Sequence, residues 1–148
     1  MQKKRALRLW SSELKPRNFK EATVAPASYL PWQWLGIAEL EDGYLTGTIN
    51  LKTGTIVPGQ RFINSQDQDP VQRSKQTNTV RHFLEESMYP HVSVTHEEEN
   101  IIVRWREIAY AFSPDIDLYM AKVIFSPNGE VIFEEFKERW ENEEKDEG

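Results

Sequence analysis

Residues 32–51 read Trp32-Gln33-Trp34-Leu35-Gly36-Ile37-Ala38-Glu39-Leu40-Glu41-Asp42-Gly43-Tyr44-Leu45-Thr46-Gly47-Thr48-Ile49-Asn50-Leu51. Asp42-Gly43 between two apolar-rich runs is a strong short-range signal for a two-residue hairpin. Residues 32–40 therefore read as one strand and 44–51 as its return. In the return strand Tyr44, Thr46 and Thr48 fall on one face and Leu45, Ile49 and Leu51 on the other, because strand side chains alternate. Thr53-Gly54 turns the chain once more. Residues 55–63, entered by Pro58-Gly59, add a third strand to an antiparallel meander.

Working outward toward the start, 18–24 reads as a strand, separated from the meander by a loop framed by Pro26 and Pro31. Residues 3–13 read as a short basic amphipathic helix stopped by Pro16. In the other direction the period changes. Asp69-Pro70 has the form of a helix start, with Asp as N-cap and Pro in the first turn. Val80, Phe83, Leu84 and Met88 then follow at helical spacing. One helix over 70–88 is predicted, ended by Pro90. After it, 91–96, 100–112, 117–126 and 130–136 read as strands, with Asn128-Gly129 as a second hairpin signal. The expected fold class is α+β: a twisted, mainly antiparallel sheet of about seven strands, covered by the main helix 70–88, with a short N-terminal helix. No repeat or linker is visible. Residues 1–136 are therefore expected to form a single soluble domain and 137–148 an acidic, frayed or disordered tail.

Composition narrows the function classes. The chain has 148 residues, of which 39% are hydrophobic and 11% aromatic, enough to build a core. No run approaches the roughly 20 apolar residues of a membrane-spanning helix. The absence of cysteine excludes a disulfide scaffold and any Cys-ligated zinc or iron–sulfur site. Net charge is −6, unevenly placed: residues 1–20 hold seven basic residues against Glu13 alone, while 134–148 hold eight acids against three bases. An acidic body argues against nucleic acid as a partner. The basic cluster Lys3, Lys4, Arg5 has two readings. It is either a solvated first helix or the cytoplasmic flank of a membrane span under the positive-inside rule. No export signal is visible, because Arg8 interrupts the short apolar stretch.

Residues with chemistry are few. His82, His91 and His96 do not form a metal-ligand pattern, since His91 and His96 lie five apart on one strand and point to opposite faces. His96-Glu97-Glu98-Glu99 reads as a solvated hairpin tip. Asp115 and Asp117 fit turn chemistry beside Pro114 better than a paired-carboxylate site. There is no Gly-x-Ser-x-Gly elbow and no phosphate-cradling glycine loop. On 101–106, Ile101, Val103 and Trp105 share one face and Arg104 and Arg106 the other. The two arginines suit either a carboxylate or phosphate ligand or pairing with Glu134 or Glu107. Trp32, Trp34 and Trp105 suit either the core or a stacking platform. Trp32, Trp34, Arg104, Trp105 and Arg106 are therefore the candidate ligand-binding residues. No catalytic and no metal-binding residue is assigned.

Several stretches together resemble a known family. These are Pro31-Trp32-Gln33-Trp34, Gly36 to Glu39, Asp42-Gly43-Tyr44, Thr46-Gly47, Val80-Arg81-His82-Phe83-Leu84, Tyr89-Pro90, Val103-Arg104-Trp105-Arg106-Glu107, Val123-Ile124-Phe125 and Asn128-Gly129. Their order and spacing, from about residue 3 to about residue 135, are similar to the C-terminal part of the YfhP/YdjM-like family. These are bacterial inner-membrane proteins described as metal-dependent hydrolases. The resemblance implies a soluble domain following several membrane spans, with the hydrolase histidines and any divalent metal in the membrane half, and the positive-inside reading of Lys3, Lys4 and Arg5 favours the cytoplasmic side of the inner membrane for it. No residue here inherits a catalytic role. Two functions are therefore expected: an accessory or binding domain that serves the membrane half of its own parent protein, or a free-standing small-ligand module with an aromatic-lined pocket. Self-association through a sheet edge is a third, and the sequence leaves oligomeric state open.

Overall fold

A computed structural model describes residues 2–15, 17–27, 30–110 and 119–138. The chain falls into two compact units, residues 1–63 and 64–148, where the sequence reading took 1–136 as one domain. The expected single sheet is corrected: there are two four-stranded antiparallel sheets, and each unit has its own. Alternation identifies a strand but carries no record of which sheet it joins, so eight strands in two meanders read like one larger sheet.

In the first unit the elements are α1 (Gln2–Leu14), β1 (Glu21–Pro26), β2 (Gln33–Leu40), β3 (Gly43–Asn50) and β4 (Thr55–Ile63). The sheet order is β1-β2-β3-β4, and the hairpin expected at Asp42-Gly43 closes on the pair Leu40 and Gly43. Pro58-Gly59 lies within β4 at a register shift opposite Leu45 to Gly47. Thr46 fills the irregularity: its Oγ1 accepts from the Gln60 amide at 3.1 Å and lies 3.3 Å from the Gln60 carbonyl. Helix α1 buries Ala6, Trp10 and Leu14, a stripe at spacing four, against this sheet. Gly36 and Gly47 are cross-strand partners, and both lie directly under the Trp10 indole. A methyl group on either would overlap the ring. The paired glycines thus form a flat seat two strands wide, which lets a helix carrying a large aromatic approach the sheet closely.

In the second unit the elements are α2 (Gln68–Ser74), α3 (Asn78–Glu86), β5 (Pro90–Glu97), β6 (Asn100–Glu107), a 3-10 turn (Ile108–Tyr110), β7 (Tyr119–Phe125) and β8 (Val131–Glu138). The sheet order is β5-β6-β7-β8. The predicted helix 70–88 is corrected to two helices with a break at 75–77. Lys75 and Gln76 favour a helix, so of the three residues at the break only Thr77 is a weak helix former. Thr77 makes the break cooperative: its Oγ1 donates to the Ser74 carbonyl at 2.7 Å and accepts from the Val80 amide at 3.2 Å, capping α3. The helix start also moves. Asp67, not Asp69, precedes α2, and Asp69 instead pairs with Arg73 at 3.4 Å. Val80 and Phe83 are fully buried as the spacing requires, but Met88 lies beyond the helix end and is 74% exposed. The strand predicted over 100–112 stops at Glu107 because the backbone tightens into the 3-10 turn. Asp115 and Asp117 lie outside the described residues, as do Pro16 and residues 139–148 of the expected tail, whereas 137 and 138 belong to β8.

The second core contains Val71, Val80, Phe83, Val92, Val103, Trp105, Tyr119, Ala121, Val123 and Phe125. Phe83 stacks on Tyr119 with ring centroids 5.1 Å apart, and Tyr119 meets Phe136 edge-on at 5.3 Å. Asn64 starts the unit by accepting the Val92 amide at 3.0 Å. Among the described residues no helix is long and apolar enough to cross a membrane.

Candidate functional site

The ligand-binding residues expected from sequence divide between the units. Trp32 and Trp34 flank the first core and are half-buried. The Trp34 indole Nε1 donates to the Pro31 carbonyl at 3.2 Å, and the Lys52 ammonium sits 4.0 Å from the Trp32 ring centroid. Trp105 is a core residue of the second unit, and its Nε1 donates to Ser74 Oγ at 3.0 Å. Ser74 in turn donates to the Val71 carbonyl at 2.7 Å, so a fully buried hydroxyl is satisfied at both ends. Arg104 and Arg106 do share the opposite face of β6, both half-buried, with Ser93 and Lys122 in the same cross-strand row as Arg104. The partners weighed for them from sequence are placed otherwise. Glu107 has the parity of Trp105, and Glu134 stands opposite Val123. Trp32 and Trp34 therefore belong to the first unit, and Arg104, Trp105 and Arg106 to the second.

The histidines are dispersed as well. His82 is exposed on α3 and meets Phe136 edge-on at 4.7 Å. His91 is buried on β5, and His96 Nε2 lies 3.5 Å from an Asp67 carboxylate oxygen. Among the described residues no group of three or more His, Cys, Asp or Glu side chains is placed to hold a metal ion.

One concavity of the second unit is a feature that sequence reasoning missed. A cavity of about 170 Å³ is lined by Glu86, Met88, Glu107, Ala109, Tyr110, Tyr119 and Glu138. It forms where the end of α3, the 3-10 turn after β6, the start of β7 and the end of β8 meet. Glu107 is its anchor, buried at 5% exposure. Its carboxylate accepts Ser87 Oγ at 3.0 Å, the Met88 amide at 2.7 Å, the Tyr89 amide at 3.1 Å and the Ala109 amide at 3.1 Å. One side chain thereby satisfies the amides that the helix end and the strand end leave open.

Tyr119 forms the aromatic wall, with its phenol 3.5 Å from the Phe83 carbonyl. Burial first, and then the neighbouring Glu138, Glu86 and Glu107, together raise the Tyr119 pKa to about 12. The phenol thus stays protonated and the cavity carries a negative potential. One signal for this site was present in the sequence. Ile101, Val103, Trp105 and Glu107 alternate on the core-facing side of β6, so Glu107 is an acid where the pattern calls for an apolar residue. The carboxylates Glu86 and Glu138 come from distant elements, and no local spacing marks them.

Comparison of the chain with protein-family models, with curated proteins and with solved structures found no match.

Proposed function

We propose that this chain is an accessory or binding module of a membrane protein of the YfhP/YdjM-like kind, without turnover of its own. The observation that carries this reading is the use made of the chemically capable side chains. Glu107 is committed to backbone amides, Ser74 to Trp105 and Val71, and the three histidines do not converge: His82 stands on α3, and His91 and His96 lie five residues apart on β5. Groups locked into such ties hold a scaffold together, and changing their protonation during a reaction would loosen it. On this reading a divalent metal and the hydrolytic chemistry belong to the membrane half, and the domain docks on that half or presents a substrate to it at the inner membrane's cytoplasmic face. The test starts from the open reading frame around Met1. Several apolar spans with a histidine-rich motif upstream are the expected result, and a gene without them ends the reading. Metal-dependent hydrolysis by the purified chain, abolished by substituting His82, His91 or His96, would end it equally.

A second reading is a small-ligand module, and the cavity beside Tyr119 favours it. At about 170 Å³ it is smaller than the roughly 300 Å³ at which pockets for drug-sized ligands begin, so it suits a single head group. Carboxylates beside tyrosine faces select a cation, such as a primary ammonium or a guanidinium. Stabilisation of the chain by methylguanidinium or methylammonium, lost in Glu86→Gln/Glu138→Gln, is the expected outcome. An unchanged melting temperature across such ligands would remove this reading.

A further inference from the structure

We propose that the outward face of α1 docks on an anionic lipid surface. The first twenty residues carry +6 in a chain whose net charge is −6, so the remaining 128 carry −12. Lys3, Lys4, Arg5 and Arg8 are all exposed on α1, while the stripe Ala6, Trp10 and Leu14 is buried on its sheet. At 3.6 residues per turn, Lys4, Arg5 and Arg8 lie on the side facing away from that stripe. Among the described residues no carboxylate forms an ion pair with any of the four.

Folding does not account for these cations. The N-terminal end of a helix carries a positive partial charge that favours acids, yet the first turn of α1 holds no acid and three consecutive bases. A sequence that breaks a local rule without a compensating contact marks a role outside the fold. An anionic surface supplies the missing compensation for the side chains and for the helix end together. A bilayer fits this face better than nucleic acid does. One side of α1 is fixed on its sheet, so the helix presents a flat row of charges and is not free to enter a groove. The face also carries no aromatic residue to stack on a base. The contact is electrostatic, without insertion, because the apolar stripe is already used.

The inference deepens the membrane-accessory reading and rests on it for its setting. Its test is sedimentation of the full chain with vesicles of mixed phosphatidylglycerol and phosphatidylcholine, beside vesicles of phosphatidylcholine alone. Binding to the anionic vesicles only, reversed by added salt, is the expected result. Lys4→Gln/Arg5→Gln/Arg8→Gln should weaken that binding roughly a hundredfold, at about fivefold per charge removed. The variant should melt no lower than the parent, which separates lost binding from lost folding. Equal binding to neutral vesicles, no effect of the triple substitution, or equally tight binding of duplex DNA would each overturn the proposal. The two readings fail separately. A gene without upstream spans removes the accessory role and leaves the vesicle result standing, whereas spans upstream with no vesicle binding remove only the docking face.

Discussion

The two units of this chain share a plan, a four-stranded antiparallel meander with helix packed on one face, and stabilise it by opposite means. Each places a tryptophan at the helix–sheet contact. In the first unit Trp10 seats on Gly36 and Gly47, and its indole Nε1 is buried with no hydrogen-bond partner among the described residues. In the second, Trp105 gives its Nε1 to Ser74, which is tied onward to Val71. The first contact works by shape, and the close fit of a large ring outweighs an unsatisfied N–H that costs about 1–3 kcal/mol. The second works by directed polar bonds, extended two residues further along β6 by the four donors around Glu107. A shape-based core offers no chemistry to a ligand. A core stitched by polar groups leaves charge at its margin, and the cavity beside Tyr119 lies at that margin.

The sharpest way to break this contrast is to cut the stitch. Glu107→Ala removes the acceptor of three part-buried amides and a hydroxyl, and should cost about 4 kcal/mol. Chemical denaturation gives the magnitude. Hydrogen exchange should show the loss first at amides of residues 87–89 and 109. A cost below about 1 kcal/mol would mean that water replaces the carboxylate and that the polar ties are incidental.

Alkaline titration probes the same margin. The Tyr119 pKa is raised from about 10 to about 12 in the folded chain. The unfolded chain therefore releases this proton first, and folding stability is present below pH 10 and falls as pH rises from about 10 to about 12. The loss reaches about 2–3 kcal/mol at the top of that window. Tyr119→Phe should flatten this part of the stability profile. An identical slope in the variant would assign the alkaline loss to other groups.

The seat in the first unit is tested by adding a methyl group. Gly36→Ala should destabilise by about 2 kcal/mol through overpacking against Trp10, and Trp10→Leu in the same chain should relieve part of that cost. If Gly36→Ala is neutral by thermal melting, the ring is not seated on the glycines and the shape argument fails.

The smallest expected effect is Ser74→Ala, about 1.5 kcal/mol, from a Trp105 N–H left buried and unpaired. In a Trp105→Phe background the same change should cost much less. A double-mutant cycle that closes additively would show that this hydrogen bond contributes nothing net.

Strand positions were legible wherever turn chemistry was strict. Asp42-Gly43 and Asn128-Gly129 both turn hairpins, and the latter is closed by the Ser126 amide donating to the Glu130 carbonyl at 2.8 Å. The face of α3 was legible from Val80 and Phe83. The break at 75–77 was not, because no apolar residue lies between Val71 and Val80 to show a change of period, and only the Thr77 cap reports the interruption. The surroundings of the candidate aromatic residues were illegible for a related reason. A tryptophan reads the same in sequence whether its ring faces a core or a ligand, and the partners that decide this come from other elements.

By itself the sequence determined the meander of 32–63, the parity of Ile101, Val103 and Trp105, the basic stripe of α1 and the absence of cysteine chemistry. All of these follow from neighbouring residues, whose side-chain directions the local backbone period sets. Only the tertiary structure decided that eight strands form two sheets, that Gly36 and Gly47 meet under Trp10, and that Glu86, Glu107, Tyr119 and Glu138 surround one cavity. Those facts depend on which distant segments pair. Pairing is fixed by the summed burial and hydrogen bonding of whole layers, and no short stretch of sequence carries that sum.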